Sequence, residues 1–77
     1  MARIEAFEEA EMQRMQVHDV VDAKYYKHER DGKKLLQIST FGRPNRDLPG
    51  KLSQTIQLDE QSGRQLFDVL KSHFEFK

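Results

Sequence analysis

The dipeptide Asp31-Gly32 is the feature that most constrains the fold of this chain. It lies between two segments rich in β-branched, aromatic and aliphatic residues, residues 17–29 and 33–41. Both central residues of a two-residue hairpin loop need a positive φ, which Asp and Gly tolerate well. The sequence therefore predicts a β-hairpin with its turn at Asp31-Gly32.

Alternation along the second hairpin strand separates two faces, because successive side chains of a strand point to opposite sides. Leu36, Ile38 and Thr40 share the predicted core side. The other side mixes polar and apolar groups, as an exposed binding face does; it carries Lys33, Leu35, Gln37, Ser39 and Phe41.

A third strand is predicted over residues 51–58, after a loop at 41–50 that contains two prolines and two glycines. Leu52, Ile56 and Leu58 share one face of this strand, and the opposite face is polar. Gln54 is the exception on the apolar side, and we expect it near an edge of the sheet.

A C-terminal amphipathic helix over residues 59–75 is predicted to pack across the sheet. Asp59 is its expected N-cap, and Leu66, Leu70 and Phe74 recur every four residues. Gly63 costs a helix about 1 kcal/mol relative to alanine. Either a close backbone contact or a marginal first turn explains a glycine there.

The N-terminal segment has the least distinct pattern. We interpret residues 1–12 as an arm or a short helix, and residues 12–22 as a possible fourth strand. The predicted fold is then a single α+β domain, in which a twisted antiparallel sheet over residues 16–58 is covered by the helix.

Length and composition limit how such a domain is stabilised. A chain of 77 residues has a thin core, and without cysteine it has neither disulfides nor thiolate metal sites. We therefore expect a homodimer. The chain has no apolar run of membrane-spanning length and no secretion-signal pattern, so we expect a cytoplasmic protein without a membrane partner.

Charge is unevenly distributed although the net charge is zero. Residues 1–22 carry a net charge of −4, residues 23–51 a net of +5 and residues 52–77 a net of −1. The middle third is thus a local basic zone, which suits either a solubilised hairpin or a contact with an acidic partner.

No constellation for catalysis is apparent. His18 and Asp19 are neighbours that point to opposite faces of a strand, and no phosphate loop, nucleophile elbow or zinc-ligand spacing occurs. Glu8, Glu9 and Glu11 suit a solvated arm better than a cation site. We therefore expect no enzymatic activity, no metal and no cofactor.

Basic residues interleaved with aromatic ones form the most informative pattern. Single-stranded nucleic acids are bound by positive charge along the backbone and by aromatic platforms that stack bases. The residues that we predict for such a site are Lys24, Tyr26, His28, Lys33, Gln37, Phe41, Arg43, Arg46 and Lys51.

Residues 23–74 also resemble the transcriptional positive-coactivator family of single-stranded-DNA-binding domains, in its small homodimeric bacterial branch. The likeness lies in the hairpin DGKKLLQISTF, the loop end Pro49-Gly50-Lys51, the strand end TIQL and the helix DEQSGRQLFDVL. The resemblance implies a twisted antiparallel sheet and a concave sheet face that holds single strands with little sequence preference. It also implies helices that pair across a dimer, which places Leu66, Phe67, Leu70 and Phe74 at the interface.

The resemblance assigns roles to a few positions. Lys33 matches a basic hairpin position, Phe41 an aromatic near the end of the second strand, and Lys51 and His28 lie where the family is basic. Ser39 replaces a typical arginine, Gly42 replaces a frequent aromatic, and Gln54-Thr55 stands in place of a Lys-Gly pair.

Two functions follow as hypotheses. The first is sequence-independent binding of single-stranded DNA or RNA by a homodimer, in transcription or DNA metabolism. The second is a protein-interaction module, such as a small regulatory or phage-encoded inhibitor, which the acidic N-terminal segment and separate basic zone suit.

Overall fold

The fold is a four-stranded sheet with one helix. The structure is a computed structural model that describes residues 1–42 and 50–77. Its elements are β1 (Ala2–Ile4), β2 (Asp22–Arg30), β3 (Lys33–Phe41), β4 (Leu52–Leu58) and α1 (Glu60–His73). The strand order is β1-β4-β3-β2, with antiparallel β2–β3 and β3–β4 pairs and a parallel β1–β4 pair. The predicted α+β class is confirmed, whereas the predicted loop at 41–50 lies mostly outside the described residues.

The hairpin turn forms where the sequence places it. Asp31 and Gly32 have φ angles of 53° and 75°, and Arg30 pairs with Lys33 across the turn. Two positive φ values in a two-residue loop give the backbone twist that matches the twist of the flanking strands. The first hairpin strand is shorter than predicted, because β2 begins at Asp22.

One side of the sheet is apolar, as the alternation predicts. Tyr25, Ile38 and Ile56 are cross-strand neighbours, and Leu36 is opposite Leu58. We call these five residues the apolar face. Helix α1 begins beside Leu36 and Leu58 of this side, which line a cavity together with Asp59, Glu60 and Gly63 of the helix start; the cavity extends to His28 and Leu35 at the end of the sheet.

The N-terminal prediction is wrong in two respects. Residues 2–4 form the short strand β1, where an arm or a short helix was predicted, and residues 12–21 form no strand. The fourth strand of the sheet is therefore β1, which runs parallel to β4 through the pairs Ala2–Ile56 and Ile4–Leu58. Because β1 covers only the last residues of β4, Gln54 lies at an open edge, as expected.

Helix α1 begins with a reciprocal cap. The Asp59 carboxylate accepts a hydrogen bond of 2.9 Å from the Ser62 backbone N–H, and the Asp59 N–H donates to Ser62 Oγ at 3.1 Å. These bonds satisfy donors that a helix start otherwise leaves without partners. The Ser62 backbone and hydroxyl donors, with a smaller contribution from Arg3 on β1, hold the Asp59 pKa below its ordinary value of 3.8.

Two glycines serve different purposes. A Cβ on Gly50 would collide with the carbonyl oxygen of Gly42, at the place where the Gly42 N–H donates to the Lys51 carbonyl at 2.7 Å. Only glycine fits at position 50 without a shift of the backbone. A Cβ on Gly63 would meet nothing within 4 Å, so the close contact considered for this helix position is absent.

We predict that the two alanine substitutions have opposite signs. Gly50→Ala should lower the free energy of unfolding by about 1–3 kcal/mol, because the backbone must move to relieve the collision. Gly63→Ala should raise it by about 0.5–1 kcal/mol, since alanine favours the helix and meets no obstacle. Urea denaturation of both variants measures the two changes, and a stabilising Gly50→Ala would contradict the packing described.

The Asp59 cap predicts a pH dependence. A carboxyl whose pKa is lower in the folded state stabilises the fold above its ordinary pKa, and this stabilisation is lost as the pH falls through the lowered pKa. Asn caps helices as well as Asp but does not titrate. The Tm advantage of the wild type over Asp59→Asn should therefore be largest at pH ~7 and should shrink below pH ~4. A pH-independent difference between the two melting curves would contradict the assignment.

Candidate nucleic-acid interface

The side of the sheet away from α1 is the candidate site. Among the residues that register and alternation place there, we call eleven the polar face. It comprises Lys24, Tyr26, His28 and Arg30 of β2, Lys33, Leu35, Gln37, Ser39 and Phe41 of β3, and Thr55 and Gln57 of β4. The only acidic residue that β2 and β3 contribute to this side is Asp22, at the start of β2.

No described element covers the polar face, because the helix lies on the opposite side of the sheet. Lys24, His28 and Lys33 are exposed, and Tyr26 keeps 46% of its surface exposed. Aromatic and basic groups are therefore accessible along two neighbouring strands, which is the arrangement that single-strand binding needs.

A cation–π contact links the two hairpin strands at one end of the polar face. The Lys24 Nζ lies 5.3 Å from the centre of the Phe41 ring. Such contacts hold a lysine stem along an aromatic surface while the ammonium group stays near water. Positive charge and a ring are thus presented together.

A chain of side-chain hydrogen bonds crosses the centre of the polar face. Gln57 Nε2 donates to Gln37 Oε1 at 3.1 Å, and Gln37 Nε2 donates to Ser39 Oγ at 3.3 Å. Ser39 Oγ and Thr55 Oγ1 share a further bond of 3.3 Å. Because each amide is held by a neighbour, the chain fixes the direction in which the two glutamines point.

The two hydroxyl residues form the floor of this face. Ser39 is 2% exposed and Thr55 is also buried, although both lie on the polar side. The larger side chains of Gln37, Phe41 and Gln57 occupy neighbouring positions and shield them. Ser39 is therefore engaged with Gln37 and Thr55 and contributes almost no accessible surface to this face.

The structure brings together most of the residues predicted for binding. Six share the polar face, and these are Lys24, Tyr26, His28, Lys33, Gln37 and Phe41. Lys51 lies just before β4, where its carbonyl accepts the hydrogen bond from Gly42. Arg43 and Arg46 lie outside the described residues.

The residues predicted for binding did not include Gln57, Arg3 or Arg30, although all three lie on this side of the sheet. Gln57 hydrogen-bonds Gln37 through the β3–β4 register, and Arg3 is placed beside Gln57 by the parallel pairing of β1. Arg30 follows His28 by alternation and was available from the hairpin pattern. Gln57 and Arg3 required knowledge of strand pairing, which the local pattern does not contain.

The residues predicted at a dimer interface lie on the exposed and half-exposed surface of the helix region. Phe67, Leu70 and Phe74 are 54%, 38% and 59% exposed, and Leu66 is half-buried. Leu66 lies beside Phe7 of the N-terminal segment, whose N–H donates to Gln65 at 2.9 Å. The other three residues form an uncovered apolar stripe.

Two further properties concern the described residues alone. Within residues 1–42 and 50–77, no three His, Asp or Glu side chains converge as ligands for a metal ion. None of the helices in this part of the chain has the length and apolar character to cross a membrane.

Comparisons with protein-family models, with curated proteins and with solved structures give no match for this chain.

Proposed function

We propose that this protein binds single-stranded DNA or RNA through the polar face, as a homodimer and without catalysing a reaction. The observation that carries the proposal is the collection of Lys24, Tyr26, His28, Lys33 and Phe41 on one open side of the sheet. Charged groups there bind phosphates, and rings stack bases.

The energetics of this arrangement favour a single strand over a duplex. A base stacked on an aromatic ring contributes about 1–3 kcal/mol, and stacking requires bases that are free of a complementary strand. Tyr26 and Phe41 offer such rings, and Lys24 and Lys33 stand on the same face to neutralise the phosphates. Stacking and phosphate contacts discriminate little between sequences.

The resemblance of residues 23–74 to the positive-coactivator family supports the same proposal and suggests a role in transcription or DNA metabolism. The cysteine-free composition suits a reducing compartment, so we propose a cytoplasmic location.

Exchanging lysines on either side of the sheet tests the proposal. Lys24→Gln/Lys33→Gln removes two charges from the polar face, and Lys27→Gln/Lys34→Gln removes two from the opposite side. We expect the first variant to bind a labelled oligothymidine roughly tenfold more weakly in fluorescence anisotropy, because two phosphate contacts are lost. The second variant should bind like the wild type.

The salt dependence of oligonucleotide binding gives an independent measure of how many phosphate contacts each variant has lost. Each phosphate contact on a single strand contributes about 0.7 to the slope of log K against log salt. The polar-face variant should therefore lose about 1.4 of that slope. Equal losses in both variants, or no binding by the wild type at tens of micromolar protein in low salt, would refute the proposal.

Surface area supports the homodimer. The chain exposes 7908 Å², whereas a compact monomer of 9.1 kDa exposes about 4,900 Å². Its radius of gyration is 15.1 Å, against about 11.5 Å for a compact chain of this length. Part of the excess belongs to residues 5–21, which have no regular structure. The apolar stripe of Phe67, Leu70 and Phe74 also contributes exposed area.

The apolar side of the sheet contributes to the same uncovered surface. A shallow, almost wholly apolar cavity of about 420 Å³ lies over Tyr25, Leu36 and Ile38, where α1 does not reach. Leu58, at 4% exposure, is the only buried apolar residue in the described part of the chain. A second copy that covers the helix stripe and this cavity would complete a core that one chain leaves open. The polar face would stay free.

We predict that the wild type sediments at twice its monomer mass and that Leu70→Glu is monomeric. A carboxylate in the centre of the helix stripe would be desolvated in the dimer without a partner. Gln61→Glu is the matched control, since it adds the same charge at an exposed position of the helix start and should remain dimeric.

A monomeric wild type at micromolar concentration in analytical ultracentrifugation would refute the dimer. If that monomer retained a protein partner from nuclease-treated lysate, the apolar surface would be a docking site for another protein, and the result would support the alternative function as a protein-interaction module.

A further inference from the structure

A small cavity lies on the polar face between β2, β3 and β4. It is lined by Tyr26, His28, Leu35, Gln37 and Gln57, and its volume is about 260 Å³. Cavities for drug-sized ligands measure roughly 300–1,000 Å³, so this one accommodates a single planar ring system. Its position at the centre of the polar face places it on the path proposed for a single strand.

The lining of the cavity combines the Tyr26 phenol, the His28 imidazole, an aliphatic side chain and two amides. Tyr26 stands on β2 opposite Gln37 of β3, and Leu35 lies next along the same side of β3. Recognition of an unstacked nucleobase uses the same combination, in which a ring stacks on the base while polar groups bond to its edge.

The hydrogen-bond chain orients Gln57 for such a contact. One Gln57 N–H is held by Gln37 Oε1 at 3.1 Å. The carbonyl Oε1 of Gln57 and its second N–H have no partner among the described residues. Gln57 therefore offers an acceptor and a donor from an amide that is already fixed in place, which lowers the entropy lost on binding.

An acceptor beside a donor on a glutamine amide matches adenine. The exocyclic amino group of adenine donates to the amide oxygen while a ring nitrogen accepts from the amide N–H. The purine also gives Tyr26 a larger stacking surface than a pyrimidine does. We infer that this cavity holds one unstacked adenine base, which pairs with Gln57 and stacks on Tyr26, within a strand whose other positions are sequence-tolerant. This inference rests on the proposed binding of single strands.

The test compares two labelled oligonucleotides of equal length, an all-thymine strand and the same strand with one central adenine. Fluorescence anisotropy of the full-length wild type should show about fivefold tighter binding of the adenine strand, the lower end of what a bidentate amide–adenine pair gives. Gln57→Leu keeps the size of the side chain but removes the amide. It should lose the fivefold preference, so that the ratio of its affinities for the two strands falls to about one.

Gln54→Leu is the matched control, since it makes the same change on the same strand but on the other side of the sheet. It should keep the fivefold preference, and circular dichroism melts of both variants check that the sheet is intact.

The experiment distinguishes a failure of the adenine cavity from a failure of the proposed single-strand binding. A wild type that binds both strands with equal affinity would overturn the adenine cavity and leave the proposed function standing. A wild type that binds neither strand would overturn both. A Gln57→Leu variant that loses equal affinity for both strands would also overturn the inference, because Gln57 would then support the face without reading a base.

Discussion

The register of the β2–β3 hairpin is the constraint on which the rest of the structure depends. The Asp31-Gly32 turn sets Arg30 opposite Lys33, and every later pair along both strands follows from that start. A slip by one residue would exchange the two sides of a strand, because the side-chain period is two. The same turn therefore decides that Tyr26 and Lys24 lie away from the helix while Tyr25 lies on its side.

The local parts of this fold are those that the sequence predicts. The turn, the inward side of β3, the edge position of Gln54 and the Asp59 cap each depend on a few neighbouring residues whose preferences agree. Their prediction needed no knowledge of distant contacts. Six of the nine residues predicted for binding were found on one side of the sheet for the same reason, since alternation alone groups them.

The parts that were missed depend on pairings between distant segments. A strand of three residues such as β1 is too short to show a recognisable alternation of polar and apolar residues. Its position in the sheet is determined by pairing with the free edge of β4. The contact of Gln57 with Gln37 likewise follows from the β3–β4 register, which shifts at a bulge between Thr40 and Phe41. The proposed contact of Gln57 with an adenine base depends on that register.

The short strand β1 has a consequence for how the sheet assembles. Ala2 pairs with Ile56, so this contact joins chain segments more than fifty residues apart, whereas the hairpin closes over two. Contacts between distant segments carry the larger loop-closure cost and form late. With three paired residues, β1 has the shortest pairing in the sheet, so we expect it to be the strand that opens at the lowest free energy. When β1 detaches, the end of β4 becomes a free sheet edge to which another extended segment can add, while the turn-defined faces stay in place.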